Sequence, residues 1–373
     1  MSKNILNAPF RADIVGSFLR PEDIKVARVK FAKGDITSEE LKQVEDKCIA
    51  DLIKKQKKAG LQVITDGEFR RSYWHLDFMW GINGAKHIEL DNGYFFHHEE
   101  TTRGSVALTG KINGNNHPFV EHFKYVKQFE TESVVARQTI PAPAQFYAEL
   151  FRGDNGKTTT AIYPDNEELI WDIAQTYRTI IRDLYDAGCR NIQFDDCTWG
   201  MVCDKNFWKS MAGSSYNVEQ LQETYLRLNN LALEECHEGL VISTHVCRGN
   251  YHSSWASEGA YDAVENFLFA RENVDAFYLE YDDERSGGFE PLAYVAPGKK
   301  VVLGLITTKS PILEDKQTII ARIHEAARYI PLERLYLSPQ CGFASCEVGN
   351  KLTEEEQWAK IKLVKDIVKE VWE

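Results

Sequence analysis

Residues 185–196 read YDAGCRNIQFDD: the end of an amphipathic run, a small-residue stop at Ala187-Gly188, a short apolar run, then two acids. The same unit recurs in KKAGLQVITDGEF (57–69) and HEGLVISTHVC (237–247). Glycine after a last helical turn is a C-cap signal. Short β-rich apolar runs are what strands buried on both faces of a parallel sheet require. Eight such runs are expected as strands: Ala12–Ser17, Gln62–Asp66, Val134–Ile140, Asn191–Asp195, Leu240–His245, Ala276–Glu280, Lys300–Ile306 and Arg334–Ser338. Helical patterns separate most of them. Asp165–Ala187 carries Leu169, Ile173, Tyr177, Ile180, Ile181 and Leu184 at spacings of three and four, and Val218–His237 and Asp315–Ile330 follow suit. Thr353–Trp372 opens with a Thr N-cap and acids in its first turn. Alternating strand and helix means a parallel sheet with right-handed crossovers. Length alone also allows two domains. Eight strands without a Pro/Gly/Ser-rich linker predict instead one α/β domain over residues 1–373, a (β/α)₈ TIM-type barrel.

Two stretches depart from this rhythm. Residues 86–126 alternate and carry the turn signals Asp91-Asn92-Gly93 and Asn113-Gly114, so a β-hairpin insertion after the second strand is expected there. The connection 281–298 is rich in Gly and Pro. Either segment is a candidate lid or contact of a homo-oligomer. The basic run KKQKK (54–58) reads as a solvated helix face with cations near the C-terminus.

Composition bounds the partners. The formal net charge is −12, which argues against nucleic acid or an anionic membrane, because phosphate binding needs a basic footprint. No segment approaches the roughly 18 consecutive apolar residues of a membrane span. The opening residues MSKNILNAPFRADIVGSF do not read as a signal peptide, so a cytoplasmic protein is expected. The eight cysteines are too sparse for a disulfide scaffold and are expected to be free or metal-bound.

In a barrel the chemistry lies at the C-terminal ends of the strands. Those ends read Gly16-Ser17, Asp66-Gly67-Glu68, Pro141-Ala142-Pro143, Asp195-Asp196, His245-Val246-Cys247, Glu280-Tyr281-Asp282-Asp283, Thr307-Thr308-Lys309 and Pro339-Gln340-Cys341-Gly342. His245 and Cys247, at i and i+2 of one strand, face the same side. With Glu280 and Cys341 they form a candidate metal set, and mixed N, S and O donors suit Zn²⁺ better than Mg²⁺ or Ca²⁺. Two thiolates and a carboxylate overcompensate a dication, which makes bound water a poor nucleophile source but suits holding an incoming thiol as thiolate. A zinc hydrolase is therefore disfavoured. Glu68 and Asp195 are candidates to receive an ammonium group, and Ser17 with nearby backbone N–H groups to receive a carboxylate. Ser17 and Asp196 are equally readable as helix caps. Cys48, Cys189, Cys197, Cys203, Cys236 and Cys346 are read as free thiols.

The segments IVGSFLRP (14–21), GLQVITDGEFRR (60–71), IQFDD (192–196), THVCRGNY (244–251), YLEYDDERSG (278–287) and LSPQCGF (337–343) resemble the catalytic domain of cobalamin-independent methionine synthase, and more closely its short single-barrel bacterial relatives. The resemblance implies Zn²⁺ at His245, Cys247, Glu280 and Cys341. It implies homocysteine contacts at Gly16, Ser17, Glu68 and Asp195, with Asp196 beside them. The chain departs from the pattern on the methyl-donor side. The Asp-Glu-Pro motif is Asp195-Asp196-Cys197 here, and Met201 stands where a folate-contacting Glu is expected. Lys309 replaces the proton-donating His, and Tyr147 corresponds to the folate-stacking Trp. The implied activity is a zinc-dependent S-methyltransferase on homocysteine or a similar small thiol, with Lys309 and Asp195 as catalytic candidates and the methyl donor open. The alternatives are a corrinoid-dependent or epoxide-opening thiol alkyltransferase and a non-catalytic homocysteine- or zinc-binding paralogue.

Overall fold

A computed structural model of the chain describes residues 6, 8–206, 217–235 and 237–373. Its backbone is a mixed α/β arrangement in which parallel strands alternate with helices. The strands are β1 (Val63–Ile64), β2 (Asn83–Glu89), β3 (Gly104–Asn113), β4 (Val135–Ala136), β5 (Gln138–Pro141), β6 (Asn191–Asp195), β7 (Val241–Val246), β8 (Ala276–Glu280), β9 (Lys300–Ile306) and β10 (Leu335–Pro339). A six-stranded parallel sheet runs in the order β10-β9-β8-β7-β6-β5, and β1 pairs in parallel with β4. Every residue of β5, β6, β8 and β10 is buried, as a sheet covered on both faces demands.

The expected bounds coincide with β6, β8 and β9, and β7 and β10 are each displaced by one residue. The first runs are less regular. Gln62–Asp66 reduces to β1, Val134–Ile140 divides into β4 and β5, and Ala12–Ser17 makes a single parallel bridge, Ala12 to Leu337. The cause is competition for backbone groups. Carbonyls that would extend a ladder accept side-chain donors instead: Ile14 from Arg137 Nη1 at 2.7 Å, Val15 from Gln193 Nε2 at 2.7 Å, and Gly16 from Thr65 Oγ1 at 2.6 Å. The segment is still held on both sides. Asp13 N–H donates to Leu337 O at 2.9 Å, and Phe18 N–H to Gly67 O at 3.1 Å. Within the core, Arg137 donates to both Asp13 carboxylate oxygens at 3.0 and 3.1 Å and to the Tyr278 hydroxyl at 2.6 Å. A buried charge pair is tolerated only when hydrogen bonds of this kind surround it.

The helices begin where the caps are. Asp165 precedes Asn166–Asp186, Asp315 precedes Lys316–Ala326, and Thr353 makes a capping box with Glu356 ahead of Glu354–Trp372. The helix expected to end at His237 is Val218–Leu233. The run 54–58 closes the helix Ser38–Lys58, with Lys55, Lys57 and Lys58 in its last turn. The stretch 86–126 is divided differently from expectation. β2 and β3 pair antiparallel from Asn83 to Asn113, and Phe119–Lys127 is a helix that buries Phe119, Phe123 and Val126. The connection 281–298 contains two short 3₁₀ turns, Glu284–Ser286 and Glu290–Tyr294. One apolar cluster runs from Ala8 to Val368. Among the described residues no helix is long and apolar enough to cross a membrane.

Candidate active site

β7 ends on His245 and Val246, and Cys247 follows. Residues two apart on a strand share a face, so the imidazole and the thiol point the same way. β10 delivers Cys341 to the same place. Ligating atoms of His245, Cys247 and Cys341 all lie within 4.8 Å of one another, and all three residues are buried. His245 Nδ1 lies 3.3 Å from the Tyr278 carbonyl. A carbonyl only accepts, so Nδ1 carries the proton and Nε2 is left with a bare lone pair. Nε2 is buried and has no hydrogen-bond partner. A buried orphan imidazole nitrogen beside two thiols is the donor set of a soft or borderline cation. Three residues present here therefore fit zinc on their own geometry.

The thiols share charge. Cys247 is held well below the ordinary thiol range because Cys197 and Cys341 donate to it, with His245 assisting against burial. Cys197 and Cys341 are pushed up correspondingly, each first by its contact with Cys247. Burial opposes charge on His245, but the neighbouring Cys247, Asp195 and Glu280 outweigh it and raise the imidazole. Among the other described cysteines, Cys48, Cys189, Cys203 and Cys346 are free, and Cys236 lies outside the described residues.

Glu280, expected as the fourth ligand, ends β8 but is engaged elsewhere. Its Oε2 accepts Arg248 N–H at 2.8 Å, and its Oε1 lies 3.2 Å from both Arg285 Nη2 and Lys309 Nζ. Lys309 also reaches Asp282 at 3.3 Å. The two acids outweigh burial and raise the Lys309 ammonium. Lys309 is thus a buried, doubly paired cation, and it is not among the residues lining the cavity described next.

A cavity of about 830 Å³ opens over the three ligands. Glu68, Asp195 and Ser17 line the same end of it. Glu68 sits at φ 61°, a left-handed conformation uncommon outside glycine and a mark of functional sites. Its Oε1 accepts from Thr139 at 3.0 Å and pairs with Arg71 at 3.3 Å, while its Oε2 is buried without a partner. Burial raises the Glu68 carboxyl, against Arg71 and Arg20. Asp195 is raised to about 7, by burial first, with His245 opposing and Glu68 adding. Ser17 Oγ accepts Ala344 N–H at 3.3 Å, and a Cβ on Gly342 would fall 1.9 Å from that oxygen, so only glycine lets the two loops meet.

Two expected contacts lie outside the cavity lining. Gly16 gives its carbonyl to Thr65 and packs at φ 149°, where a Cβ would strike Thr139. Asp196 is a helix cap: Oδ1 accepts Thr198 N–H at 3.0 Å and Oδ2 accepts Asn229 at 2.9 Å, below the site. Tyr147 does line the cavity, from the helix Pro143–Leu150, with its hydroxyl 3.0 Å from Asn166 Oδ1.

Sequence reasoning missed the aromatic part of the lining, made by Trp74, His75, Tyr94, Phe95, Phe96 and Phe151. The His75 ring lies 4.5 Å from Trp74 and 5.9 Å from Tyr94, and neither of its nitrogens has a partner. Burial, then Arg152, lowers it to about 3, so it is a neutral imidazole with one donor and one acceptor to offer. The aromatic density of SYWHLDF (72–78) was the available signal.

The catalytic domain of cobalamin-independent synthase matches residues 10–369. The Bacillus subtilis protein YxjH, described as uncharacterized, is 42% identical over 366 residues, covering 98% of this chain and 95% of its own. A Pyrococcus abyssi methionine synthase is 24% identical over 336 residues, covering 88% of this chain and 85% of its own. A crystal structure from Listeria monocytogenes, provisionally named a vitamin-B12 independent methionine synthase, is 39% identical with a TM-score of 0.78, covering 98% of this chain and 99% of that one. The chain belongs to the cobalamin-independent methionine synthase family, of which it carries the catalytic domain.

Proposed function

We propose that this protein is a zinc-dependent S-methyltransferase that methylates homocysteine to methionine. The observation that carries the reading is the buried His245, Cys247 and Cys341 trio at the floor of a cavity whose wall holds an unpaired carboxylate oxygen on Glu68. Zinc held by these three residues supplies a Lewis acid that lowers a thiol's pKa and keeps it nucleophilic at neutral pH. Glu68 and Asp195 receive the substrate ammonium. Burial makes such charge-assisted hydrogen bonds strong. Ser17 and the neighbouring loop receive the carboxylate. The thiol then points at the cavity, and the aromatic end holds the methyl donor with water excluded.

The barrel is part of this reading. The links of segment 11–18 to Leu337 on one side and to Thr65 and Gly67 on the other support closing the parallel strands into one (β/α)₈ domain. A barrel collects strand ends at one rim, which is where these ligands need to meet.

The donor side favours a refinement. A tetrahydrofolate nitrogen leaves badly without a proton. Lys309 is tied to Glu280 and Asp282 and does not line the cavity, His75 at about 3 holds no proton to give at neutral pH, and Asp195, at about 7, is taken up by the substrate ammonium in this reading. This supports a donor whose leaving group needs no protonation, a methyl-corrinoid or a sulfonium. The test is zinc-loaded protein with homocysteine and, separately, methyl-folate, methylcobalamin and a methyl sulfonium, read by mass spectrometry. Methionine from either of the last two is expected. Absence of methionine with every donor sinks the assignment, and methionine from methyl-folate alone overturns the refinement.

A further inference from the structure

We propose that the aromatic part of the cavity lining recognises a cationic methyl donor, an organic sulfonium, through the faces of its rings. The inference rests on the thiol-methylating reading above and narrows its donor to one chemical class. The rings of Tyr73, Trp74 and Tyr94 lie 6.4, 4.5 and 5.9 Å from the buried ring of His75. All four residues line the cavity that the metal-binding trio also lines. An aromatic face attracts a cation within about 6 Å of the ring centre, and tryptophan does so most strongly.

One of these rings already holds a cation in this way. The Arg152 guanidinium stands 3.8 Å from the centre of the Tyr94 ring. The Tyr94 hydroxyl is hydrogen-bonded to the Glu149 carboxylate, which pushes electron density into the ring. Trp74 is different. It is half-buried on the cavity lining, and among the described residues no cation stands over it.

The charges around the cavity favour the same ligand. Among the described lining residues Glu68, Asp195 and Asp204 are acids, against the single guanidinium of Arg152. That guanidinium is compensated by Glu149 at 3.0 Å. Burial, then Arg152, holds His75 at about 3, so its imidazole adds no positive charge and offers one donor and one acceptor to the rest of the donor molecule. The anionic tail of a folate would find one cation here, already paired. A methyl-corrinoid carries its methyl on cobalt and presents no cationic methyl group for ring faces to hold.

The chemistry balances without a further group. The homocysteine sulfur, its thiol proton already lost to solvent, attacks one methyl carbon of the sulfonium. The new S–CH₃ bond forms as the C–S⁺ bond breaks. The electron pair of the broken bond goes to the donor sulfur, which leaves as a neutral thioether. Opposite charges are consumed, and a lining that excludes water assists such a step.

The test compares two molecules of one shape, (2-hydroxyethyl)dimethylsulfonium and 3-methylbutan-1-ol, in which CH replaces S⁺. Binding to the full-length, zinc-loaded protein is read by calorimetry, without turnover. The cation is expected to bind about 3- to 30-fold more tightly. The preference should persist at high salt, which screens the long-range pull of an acidic chain but not a desolvated ring contact. Trp74→Leu should bring the ratio towards one, and Trp74→Phe, which keeps a ring face, should retain part of it. Equal binding of the two molecules by the wild type overturns the proposal, and that comparison needs no variant to fold. A preference that Trp74→Leu leaves unchanged also overturns it, because the carboxylates would then carry it. Methionine formed with methylcobalamin but not with the sulfonium overturns the donor class and leaves the thiol-methylating reading standing. No methionine with any donor overturns both.

Discussion

Two parts of the cavity lining differ: Ser17, Asp195, His245, Cys247 and Cys341, the sulfur end, stand at the tips of parallel strands or just beyond them, whereas Trp74, His75, Tyr94, Phe95 and Phe96, the aromatic end, stand on a stretch with little regular structure. Each end has a buried carboxylate behind it. Behind the sulfur end, Asn229 links Asp196 to Glu272. Behind the aromatic end, Glu149 takes the hydroxyls of Tyr94 and Ser105 and pairs with Arg152 at 3.0 Å. The strand tips spend their donors on one another and leave a specific vacancy, a nitrogen lone pair and a carboxylate oxygen. The aromatic end leaves surface, with one unpartnered imidazole in it. A strand-mounted site fixes chemistry, and a loop-mounted wall sets what that chemistry acts on.

The largest effect expected is at the sulfur end. Cys341→Ser should lower zinc affinity by at least about 100-fold, since even partners one layer out from a metal cost 10- to 100-fold. Activity with every donor should fall in parallel. Competition with a chromophoric chelator measures the affinity, and a variant that holds zinc at wild-type strength breaks the assignment. Next comes Asp195→Asn. A hydrogen bond to a charged group contributes about 1.5–3 kcal/mol, or roughly 10- to 100-fold in kcat/KM for homocysteine. The same variant should lose little with a thiol lacking the amino group, and an equal loss with both thiols would show that Asp195 does not meet the ammonium.

The two ends were unequally legible. β8 and β9 could be bounded to the residue because strands buried on both faces are written as apolar runs, and β6 (NIQFD) because the Gly188 stop precedes it and two acids close it. His245, Cys247 and Cys341 followed from strand-end position. At Asp196 the structure shows the helix cap that the sequence reading held as the alternative, and Gly16 makes a tight packing contact. Cys197 is a free thiol, as read, but its closeness to Cys247 was not legible, because the register that sets them side by side is a pairing between strands, and a single sequence does not print its pairings. The stretch 72–101 was opaque for a different reason. Its backbone is held by Tyr73 bonding across to Thr102 and by Asp77 accepting Ser72 and Tyr73 N–H groups, none of which leaves a periodic signal.

A third prediction separates the ends directly. His75→Phe keeps the aromatic wall and deletes both ring nitrogens. It should raise KM for the methyl donor about tenfold, the value of one neutral hydrogen bond, and leave KM for homocysteine unchanged. If both KM values move together, the two ends are one subsite and the comparison fails.

The smallest effect concerns what lies behind the sulfur end. Burial, and then Asp196, raises the Glu272 carboxyl to about 8, with Lys299 opposing. In the unfolded chain the same carboxyl releases its proton near its ordinary value, well below that. Between the two values the unfolded state binds fewer protons than the folded state, so stability falls as pH rises from about 4.5 to about 8. Glu272→Gln replaces a buried neutral acid by a neutral amide of the same shape, which can still accept from Asn229. Urea midpoints of wild type and variant should agree at pH 5. At pH 8 the variant should be the more stable, by on the order of 2 kcal/mol. Glu149, tied to Arg152 and two hydroxyls, already has its charge compensated, and Glu149→Gln should therefore destabilise at both pH values. The opposite signs expected for two buried glutamates at pH 8 turn on whether a cation bonds the carboxylate itself, as Arg152 does at Glu149, or only the backbone carbonyl, as Lys299 does at Glu272, and matching signs would refute that distinction.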